Sequence, residues 1–300
     1  MQSLATAFLS LLYNCNSGKS RKEVDMDNAR NNRKIMAGQT LQIISNGEYT
    51  VEGVVVHIGD DIARSRDSSE LIAQGLADSL EQSFSPSHVK MVIELTDEST
   101  LSALLQLQDQ FRGGIGVLNF ASAKNPGGGF LNGALAQEES LAIASNLYDS
   151  QIKHEEYYTT NRTFKSMVYT DTAIWSPDVV FFRNEAGDLL AKPAKASVLT
   201  LPAVNMGQVI QKGENIRMAD EAMRRRMKIA LAIFAKKNAK CIVLGAYGCG
   251  VFRNNPYKVA LWWKELLAEY SGHFEKAVFA VLDRSKQRGV FKAFENNFQV

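Results

Sequence analysis

The sequence has few cysteines and histidines and no long apolar run. The three cysteines, Cys15, Cys241 and Cys249, are too few and too scattered for a disulfide framework, which favours a reducing compartment such as the cytoplasm. The four histidines form no cluster with cysteine at zinc spacing, so we expect no bound metal. No apolar run reaches about 18 residues, the length of a membrane-spanning helix. Residues 4–13 are apolar, but no Lys or Arg precedes them, which favours a short amphipathic helix or a poorly ordered terminus over an export signal.

Neither charge sign is in excess. Lys and Arg number 34, and Asp and Glu number 32, which leaves a net charge of +2. A chain with this balance does not bind nucleic acid or a membrane through its overall charge, so we expect neither partner. The 300 residues are 45% hydrophobic, which is enough for a large buried core.

From about residue 88 the apolar pattern alternates between short strands and helices. Strands are predicted at Val89–Leu95, Ile115–Phe120, Val179–Phe182, Ser197–Leu201, Cys241–Ala246 and Ala277–Leu282. Helices are predicted at Ser99–Gln110, from Glu138 onward, at Ile216–Lys237 and at Tyr257–Tyr270. Short buried strands separated by helices predict an α/β fold with a mostly parallel or mixed sheet.

Before residue 88 the pattern is less regular. Residues 28–46 predict a helix that stops at Asn46-Gly47, Val54–Ile58 predicts a strand, and Leu71–Leu80 predicts a helix. We therefore divide the chain into an N-terminal tail and helical extension, residues 1–87, packed on a core of residues 88–300.

One segment after the strand at 115–120 stands out. It has three consecutive glycines, Gly127–Gly129, then seven residues, and then Gln137-Glu138-Glu139. Glycine permits positive φ and lets a backbone approach a bulky polar ligand closely, with N–H groups that can face it. A loop that can hold a phosphate, followed by an acid that can transfer a proton, predicts chemistry on a phosphorylated sugar.

A second glycine-rich loop, Gly245–Asn254, follows the strand at 241–246. In open α/β sheets, ligands lie beyond the carboxyl ends of the strands, so the two loops could hold the two phosphates of a pyrophosphate. Taken singly, each loop could be only a turn. Neither loop has the Gly-x-Gly-x-x-Gly or Gly-x-x-x-x-Gly-Lys-Ser/Thr spacing, which disfavours a nicotinamide or P-loop site, and we expect no cofactor.

Glu138 and Glu139 admit two interpretations. Acids are common in a first helical turn because the helix dipole favours them, so the pair could be structural. As neighbours on a helix they point about 100° apart, so one could bind sugar hydroxyls while the other acts on a glycosidic oxygen. A general acid needs a raised pKa, which the helix N-terminus opposes; burial or a substrate phosphate would restore the proton.

The remaining polar and aromatic candidates are less specific. Phe252 and Tyr247 could each be a core aromatic or a ring packed against a ribose. Arg224–Arg226 predicts a solvated helix face, with a patch that contacts the polymer as the less favoured alternative. Cys249 has no His and Asn partners in the sequence pattern, so a nucleophilic role is disfavoured.

The segment from Leu118 to Ser140 resembles the bacterial-type poly(ADP-ribose) glycohydrolases, whose signature is GGG followed, after a short spacer, by QEE. The likeness includes Asn32–Leu41, Thr170-Asp171, Ser176–Asp178, Pro202–Asn205 and Gly245–Asn254, and it extends over residues 28–300. It implies a macrodomain-like α/β/α sandwich with a mixed central sheet and an N-terminal helical extension.

The resemblance also implies hydrolysis of the ribose–ribose O-glycosidic bond of poly(ADP-ribose), from chain ends, with release of ADP-ribose. Glu139 would protonate the leaving 2′-oxygen and then activate water, and Glu138 would hold ribose hydroxyls. The other matched positions would bind substrate: Asn125 and Phe252 at the ribose, Gly127, Gly128, Gly129, Gly248, Cys249, Gly250 and Val251 at the diphosphate, and Gln137 within the signature. Tyr247 is a departure, because many relatives are expected to have Trp at this position of the pocket wall.

Two other functions remain open. A non-catalytic reader of ADP-ribose or its polymer could keep the loops and lose the acid, whereas both acids are present here. A hydrolase of mono-ADP-ribose on protein side chains would differ only in the depth of the pocket around the acid. The expected partners are therefore poly(ADP-ribose) or an ADP-ribosylated protein, with ADP-ribose as product, and we expect a monomer.

Overall fold

The computed structural model describes residues 21–75 and 90–298. Its strands are β1 (Glu48–Val51), β2 (Val54–His57), β3 (Glu70–Ile72), β4 (Val92–Thr96), β5 (Ile115–Ala121), β6 (Ala173–Arg183), β7 (Leu189–Pro202), β8 (Cys241–Leu244) and β9 (Lys276–Ala280). Its helices are α1 (Arg21–Asn46), α2 (Gly59–Asp67), α3 (Thr100–Gln106), α4 (Gln137–Ala144), α5 (Leu147–Ile152), α6 (Glu155–Thr163), α7 (Met206–Gln211), α8 (Ile216–Lys236), α9 (Pro256–Glu269) and α10 (Gly289–Phe298).

Seven strands form a mixed sheet in the order β3-β6-β7-β5-β8-β9-β4. The strands from β7 to β4 are parallel to their neighbours, whereas β6 is antiparallel to both β3 and β7. The predicted α/β class and mixed sheet are confirmed. Because parallel strands end at the same edge, the loops that leave β5, β7 and β8 lie together.

Two apolar cores lie on opposite faces of this sheet, because successive residues of a strand point to opposite sides. Leu118 of β5 packs in a core with Met227 of α8 and Trp263 of α9. Its neighbour Val117 packs in a second core with Leu104 of α3 and Leu141 of α4. Helices therefore cover both faces of the sheet, as the predicted α/β/α sandwich requires.

Helix α1 begins at Arg21, earlier than the predicted start at residue 28, and ends as predicted at Asn46. Gly47 follows with φ of 70°, and a Cβ there would lie 2.8 Å from Gly59 Cα. The chain therefore needs glycine to turn from α1 into the antiparallel hairpin β1–β2. This hairpin confirms the strand predicted at 54–58, except for its last residue.

The helix predicted at Leu71–Leu80 is wrong over its described part. Glu70–Ile72 forms β3, and residues 76–80 lie outside the described residues. Leu71 packs against the buried cluster of Tyr157, Tyr158 and Ile174, so pairing with β6 and burial outweigh the local helical pattern. Strand β3 lies ahead of the boundary proposed between residues 87 and 88, and the division into extension and core stays a prediction.

The strands predicted after residue 88 are present with shifted ends. The first begins at Val92, and its predicted start at residue 89 lies outside the described residues. The helix predicted at Ser99–Gln110 is shorter, and Ser99 caps it by accepting a hydrogen bond from Ser102 N at 3.1 Å. The short helices α2, α5, α6, α7 and α10 were not predicted. Over residues 21–75 and 90–298, no helix combines the length and apolar character that crossing a bilayer requires.

Candidate active site

Gln137, the first residue of α4, attaches that helix to β5. Its Oε1 accepts a hydrogen bond from Phe120 N at 2.8 Å, and its Nε2 donates to Leu118 O at 2.8 Å. The two acids that follow are therefore held at the carboxyl end of β5. Both ends of the Gln137 amide contact the protein, and the substrate contact expected of Gln137 stays a prediction.

Glu138 is buried, with 3% of its surface exposed, and it accepts three hydrogen bonds. Ser122 N donates to Oε2 at 2.7 Å, while Asn119 Nδ2 and Gln151 Nε2 donate to Oε1 at 3.1 and 2.9 Å. The same two side-chain amides lie 3.2 and 3.3 Å from Thr200 Oγ1 of β7. Donors from β5, from the loop and from α5 thus orient this carboxyl group.

Burial raises the pKa of Glu138 to about 8. The three donors stabilise the charged form and lower this pKa, but the loss of solvation is the larger effect, and the nearby Glu139 raises the pKa further. Glu138 therefore holds its proton over much of the neutral range.

Glu139 is only partly buried, and it is attached to the glycine loop. Gly129 N donates to its Oε1 at 2.9 Å. A Cβ on Gly128 would collide with Glu139 Oε1 and lie 3.1 Å from Glu138 Oε2. The structure therefore brings the glycine triplet and the acid pair into contact, with Gly128 against both carboxyl groups.

The glycine triplet adopts the left-handed conformation at two positions, since Gly127 and Gly128 have φ of 62° and 59°. Gly127 N donates to Gln151 Oε1 at 2.8 Å, and Gly128 N donates to the carbonyl of the exposed Asn125 at 3.0 Å. Gly129 N donates to Glu139 Oε1. In this structure the triplet thus permits close approach, but its three amides already have acceptors in the protein.

The second glycine loop follows β8, the parallel neighbour of β5. Gly248 has φ of 72°, and a Cβ there would lie 2.6 Å from Asn254 Nδ2. Asn254 Nδ2 closes the loop by donating to Val204 O at 2.8 Å and to Gly248 O at 3.0 Å. Among the described residues, none accepts a hydrogen bond from the amides of Gly248, Gly250, Val251 or Phe252. The second loop, unlike the first, offers donors to an anion.

The two loops lie side by side. The Phe120 and Tyr247 rings are 5.6 Å apart, and a Cβ on Gly245 would lie 3.0 Å from Phe120 Cζ. Tyr247 is fully buried, and its hydroxyl donates to Leu201 O at 3.1 Å. Of the two interpretations left open for Tyr247, the structure supports the core aromatic.

Phe252 and Cys249 occupy different surroundings within the second loop. Phe252 is partly exposed, with its ring 6.2 Å from that of Tyr169, so it remains available to a ligand. Burial raises the pKa of the Cys249 thiol to about 12, which disfavours the nucleophilic thiolate.

The prediction of a solvated face at Arg224–Arg226 is wrong for Arg226, which is fully buried. Its guanidinium pairs with the buried Asp171 at 3.0 Å and donates to the carbonyls of Val168, Pro202 and Tyr169 at 2.9, 2.9 and 3.2 Å. Arg225 also pairs with Asp171. Arg226 can be buried because a carboxylate and three carbonyls surround its charge. Helical periodicity alone does not predict these partners.

Sequence reasoning missed Asn119, Gln151 and Thr200, the polar residues around Glu138. Asn119 could have been noticed, because it is a polar residue inside an otherwise apolar strand. Gln151 and Thr200 carry no such signal, since only the fold brings them to the acid. In the part of the chain that the structure describes, no three His, Cys, Asp or Glu side chains are grouped as metal ligands would be.

Comparisons with known proteins agree with this geometry. The family model "Microbial-type PARG, catalytic domain" matches residues 37–184. The structure is similar to the poly(ADP-ribose) glycohydrolase (PARG) of Thermomonospora curvata, with 35% identity, a TM-score of 0.86, and coverage of 89% of this chain and 100% of that one. The same enzyme bound to the inhibitor ADP-HPD matches with 34% identity, a TM-score of 0.84 and the same coverage. The Deinococcus radiodurans PARG in complex with ADP-ribose matches with 38% identity, a TM-score of 0.76, and coverage of 84% of this chain and 99% of that one. The chain matches none of the curated proteins.

Proposed function

The chain belongs to the microbial-type poly(ADP-ribose) glycohydrolase family, and we propose that it hydrolyses the ribose–ribose O-glycosidic bond of poly(ADP-ribose) from chain ends and releases ADP-ribose. It is a glycohydrolase by family. The observation that carries the assignment of its site is the contact of Gly128 with both carboxyl groups, next to a loop with four available amides.

An ADP-ribose unit has the chemistry that this arrangement can recognise. Its diphosphate is an anion suited to the amides of Gly248, Gly250, Val251 and Phe252, and its riboses carry the hydroxyls and the glycosidic oxygen on which the acids would act. Relatives in this family have been solved with ADP-ribose and with the inhibitor ADP-HPD. The family therefore supports the proposal that this chain binds ADP-ribose and releases it as product.

Glu139 is the proposed catalytic acid, because it is the less buried carboxyl group and its Oε2 receives no hydrogen bond from a described residue. It donates its proton to the leaving 2′-oxygen as the bond from that oxygen to the anomeric carbon breaks. Water then adds to the same carbon and returns a proton to Glu139. Ordinary glycosidases use two separated carboxylates; here the substrate diphosphate supplies the negative charge that stabilises the oxocarbenium-like intermediate.

Glu138 is proposed to orient the ribose. A carboxylate has about four acceptor positions, and three of those on Glu138 are taken by protein donors. The remaining position can pair with a ribose hydroxyl, donating to it when Glu138 is protonated and accepting from it when Glu138 is ionised. Asn125, exposed on the first loop, and Phe252, beside the second loop, are the other proposed ribose contacts.

We retain three further expectations as proposals. The first is that the protein is a monomer, which its mass in solution would test. Cys241 and Cys249 are free thiols, which supports a reducing compartment such as the cytoplasm. The division between residues 1–87 and 88–300 could be tested by limited proteolysis.

The function is tested by incubating the purified protein with poly(ADP-ribose) and resolving the products over time. Chain-end hydrolysis predicts free ADP-ribose from the first time point. Accumulation of short oligomers in its place would contradict cleavage from chain ends, and tight polymer binding without any product would favour a reader. Release of ADP-ribose from a mono-ADP-ribosylated protein but not from the polymer would favour a hydrolase of mono-ADP-ribose on protein side chains.

A further inference from the structure

We propose that Gln151 is a positioning residue that couples the first glycine loop to the acid pair. This inference rests on the proposed function, since it concerns how Glu138 is held in the hydrolytic site. Gln151 lies in α5, outside both the loop and α4, and none of its surface is exposed.

The orientation of the Gln151 amide follows from chemistry. Its Oε1 accepts from Gly127 N at 2.8 Å, and its Nε2 donates to Glu138 Oε1 at 2.9 Å. A backbone N–H can only donate, so the amide oxygen must face Gly127, and the amide nitrogen must then face Glu138. One side chain thus joins the start of the glycine triplet to the first acid.

No other donor to Glu138 is constrained in this way. Ser122 N belongs to the loop itself and cannot connect it to another element. Asn119 Oδ1 is buried and has no hydrogen-bond partner among the described residues, so none of them fixes the orientation of that amide. Among these donors, Gln151 is the one whose amide orientation is fixed by hydrogen bonds at both its oxygen and its nitrogen.

A positioning role and a merely structural role make different predictions for Gln151→Glu. The new carboxyl group can still accept from Gly127 N, but its second oxygen would face Glu138. When one of the two carboxyl groups is protonated, they can share that proton in a hydrogen bond; when both are ionised, they repel each other. Activity should therefore fall with rising pH, relative to the wild type at the same pH.

Other titratable groups do not produce this dependence. Among the described residues, Glu139 on α4 and Tyr157 and Tyr158 on α6 face Glu138. Burial raises the pKa of both tyrosines well above its usual value, so neither titrates in the neutral range. Glu139 is also present in the wild type, and its contribution cancels in the ratio.

Asn146 supplies a matched control. It is fully buried just ahead of α5, and its Oδ1 accepts a hydrogen bond from Val180 N at 2.8 Å. The hydrogen bonds that Glu138 and Glu139 accept come from other residues. Asn146→Asp introduces a buried carboxyl group that keeps its backbone donor but does not reach the site. Gln151→Leu removes both hydrogen bonds at every pH.

The experiment measures kcat/KM on poly(ADP-ribose) for the wild type and these three variants from about pH 5 to about pH 8. We expect the Gln151→Glu ratio to the wild type to fall by about 10-fold or more across this range, the Gln151→Leu ratio to be low throughout, and the Asn146→Asp ratio to stay flat. Near-wild-type activity of Gln151→Leu, or a flat Gln151→Glu ratio, would overturn the inference.

Thermal melting provides a readout that does not depend on activity. The Tm of Gln151→Glu should fall with rising pH relative to that of Asn146→Asp, and adding Glu138→Gln should remove this difference. Equal slopes in the single variants would also overturn the inference. A wild type without turnover would instead contradict the proposed function, and the melting comparison would still decide whether the two side chains are coupled.

Discussion

The carboxylate of Glu139 accepts a hydrogen bond from the amide of Gly129 at 2.9 Å. The proposed acid is therefore attached to the glycine triplet. This bond uses Oε1 and leaves Oε2 without a donor among the described residues. One oxygen thus fixes the position of the acid while the other can exchange a proton with the substrate.

Gly128→Ala should reduce kcat/KM strongly and the free energy of unfolding only modestly. Its Cβ would collide with Glu139 Oε1, and the residue has φ of 59°. We expect kcat/KM to fall about 100-fold or more, because displacement of a catalytic group by about 1 Å has this effect, and the free energy of unfolding to fall by about 1–2 kcal/mol.

The control is Gly53→Ala, at φ of 81° and with nothing within 4 Å of its Cβ. It should lose stability similarly and keep full activity. Equal loss of activity in both variants would show that backbone strain, and not the collision with Glu139, is the cause.

The buried carboxyl group of Glu138 should make folding stability depend on pH. Its pKa rises from 4.5 to about 8 on folding, so the folded state binds more protons between these values. The stability contributed by this group is fully present below pH 4.5 and is lost as pH rises towards 8.

Denaturant unfolding of the wild type and Glu138→Gln across this window measures the effect. The wild type should lose stability with rising pH more steeply than Glu138→Gln, by an amount on the order of a few kcal/mol over the window. The exposed Glu155→Gln should retain the wild-type slope, and parallel curves for the wild type and Glu138→Gln would contradict the assignment.

Arg226→Lys should destabilise the fold although it keeps the positive charge. A lysine cannot donate simultaneously to Asp171 and to the carbonyls of Val168, Tyr169 and Pro202. Loss of partners for buried polar groups of this kind costs about 3 kcal/mol or more of unfolding free energy.

Arg224→Lys is the comparison, because Arg224 is partly exposed and pairs with acids on α9. Chemical denaturation should show a change within about 0.5 kcal/mol for this variant. Similar midpoints for the two variants would mean that the buried guanidinium contributes little.

The sequence predicted the elements whose apolar pattern agrees with their final surroundings. The strand at 115–120 is apolar on both faces because helices cover both sides of the sheet, and this pattern is visible without a structure. The segment that begins at Leu71 was mispredicted, because its local pattern favours a helix. It forms a strand because it pairs with the antiparallel strand β6, which lies far along the chain.

The candidate site was predicted in outline for the same reason. The GGG and QEE motifs are close in sequence, so their contact is local and could be expected. The bonds from Gln151 and Thr200 to this site connect distant segments and could not. Among the triplet amides, that of Gly127 donates to Gln151 of another helix, whereas those of Gly128 and Gly129 donate to Asn125 and Glu139 within the motif. Donors to phosphate were expected in both glycine loops, and amides without an acceptor among the described residues are found in the second.

The most direct test of the catalytic assignment is the turnover of Glu139→Gln on poly(ADP-ribose), measured together with its affinity for ADP-ribose. Glutamine can keep the acceptor for Gly129 N but cannot transfer the proton. We predict that kcat falls by about 10²–10⁴-fold while the Kd for ADP-ribose changes little. Turnover close to that of the wild type would contradict the assignment of Glu139 as the catalytic acid.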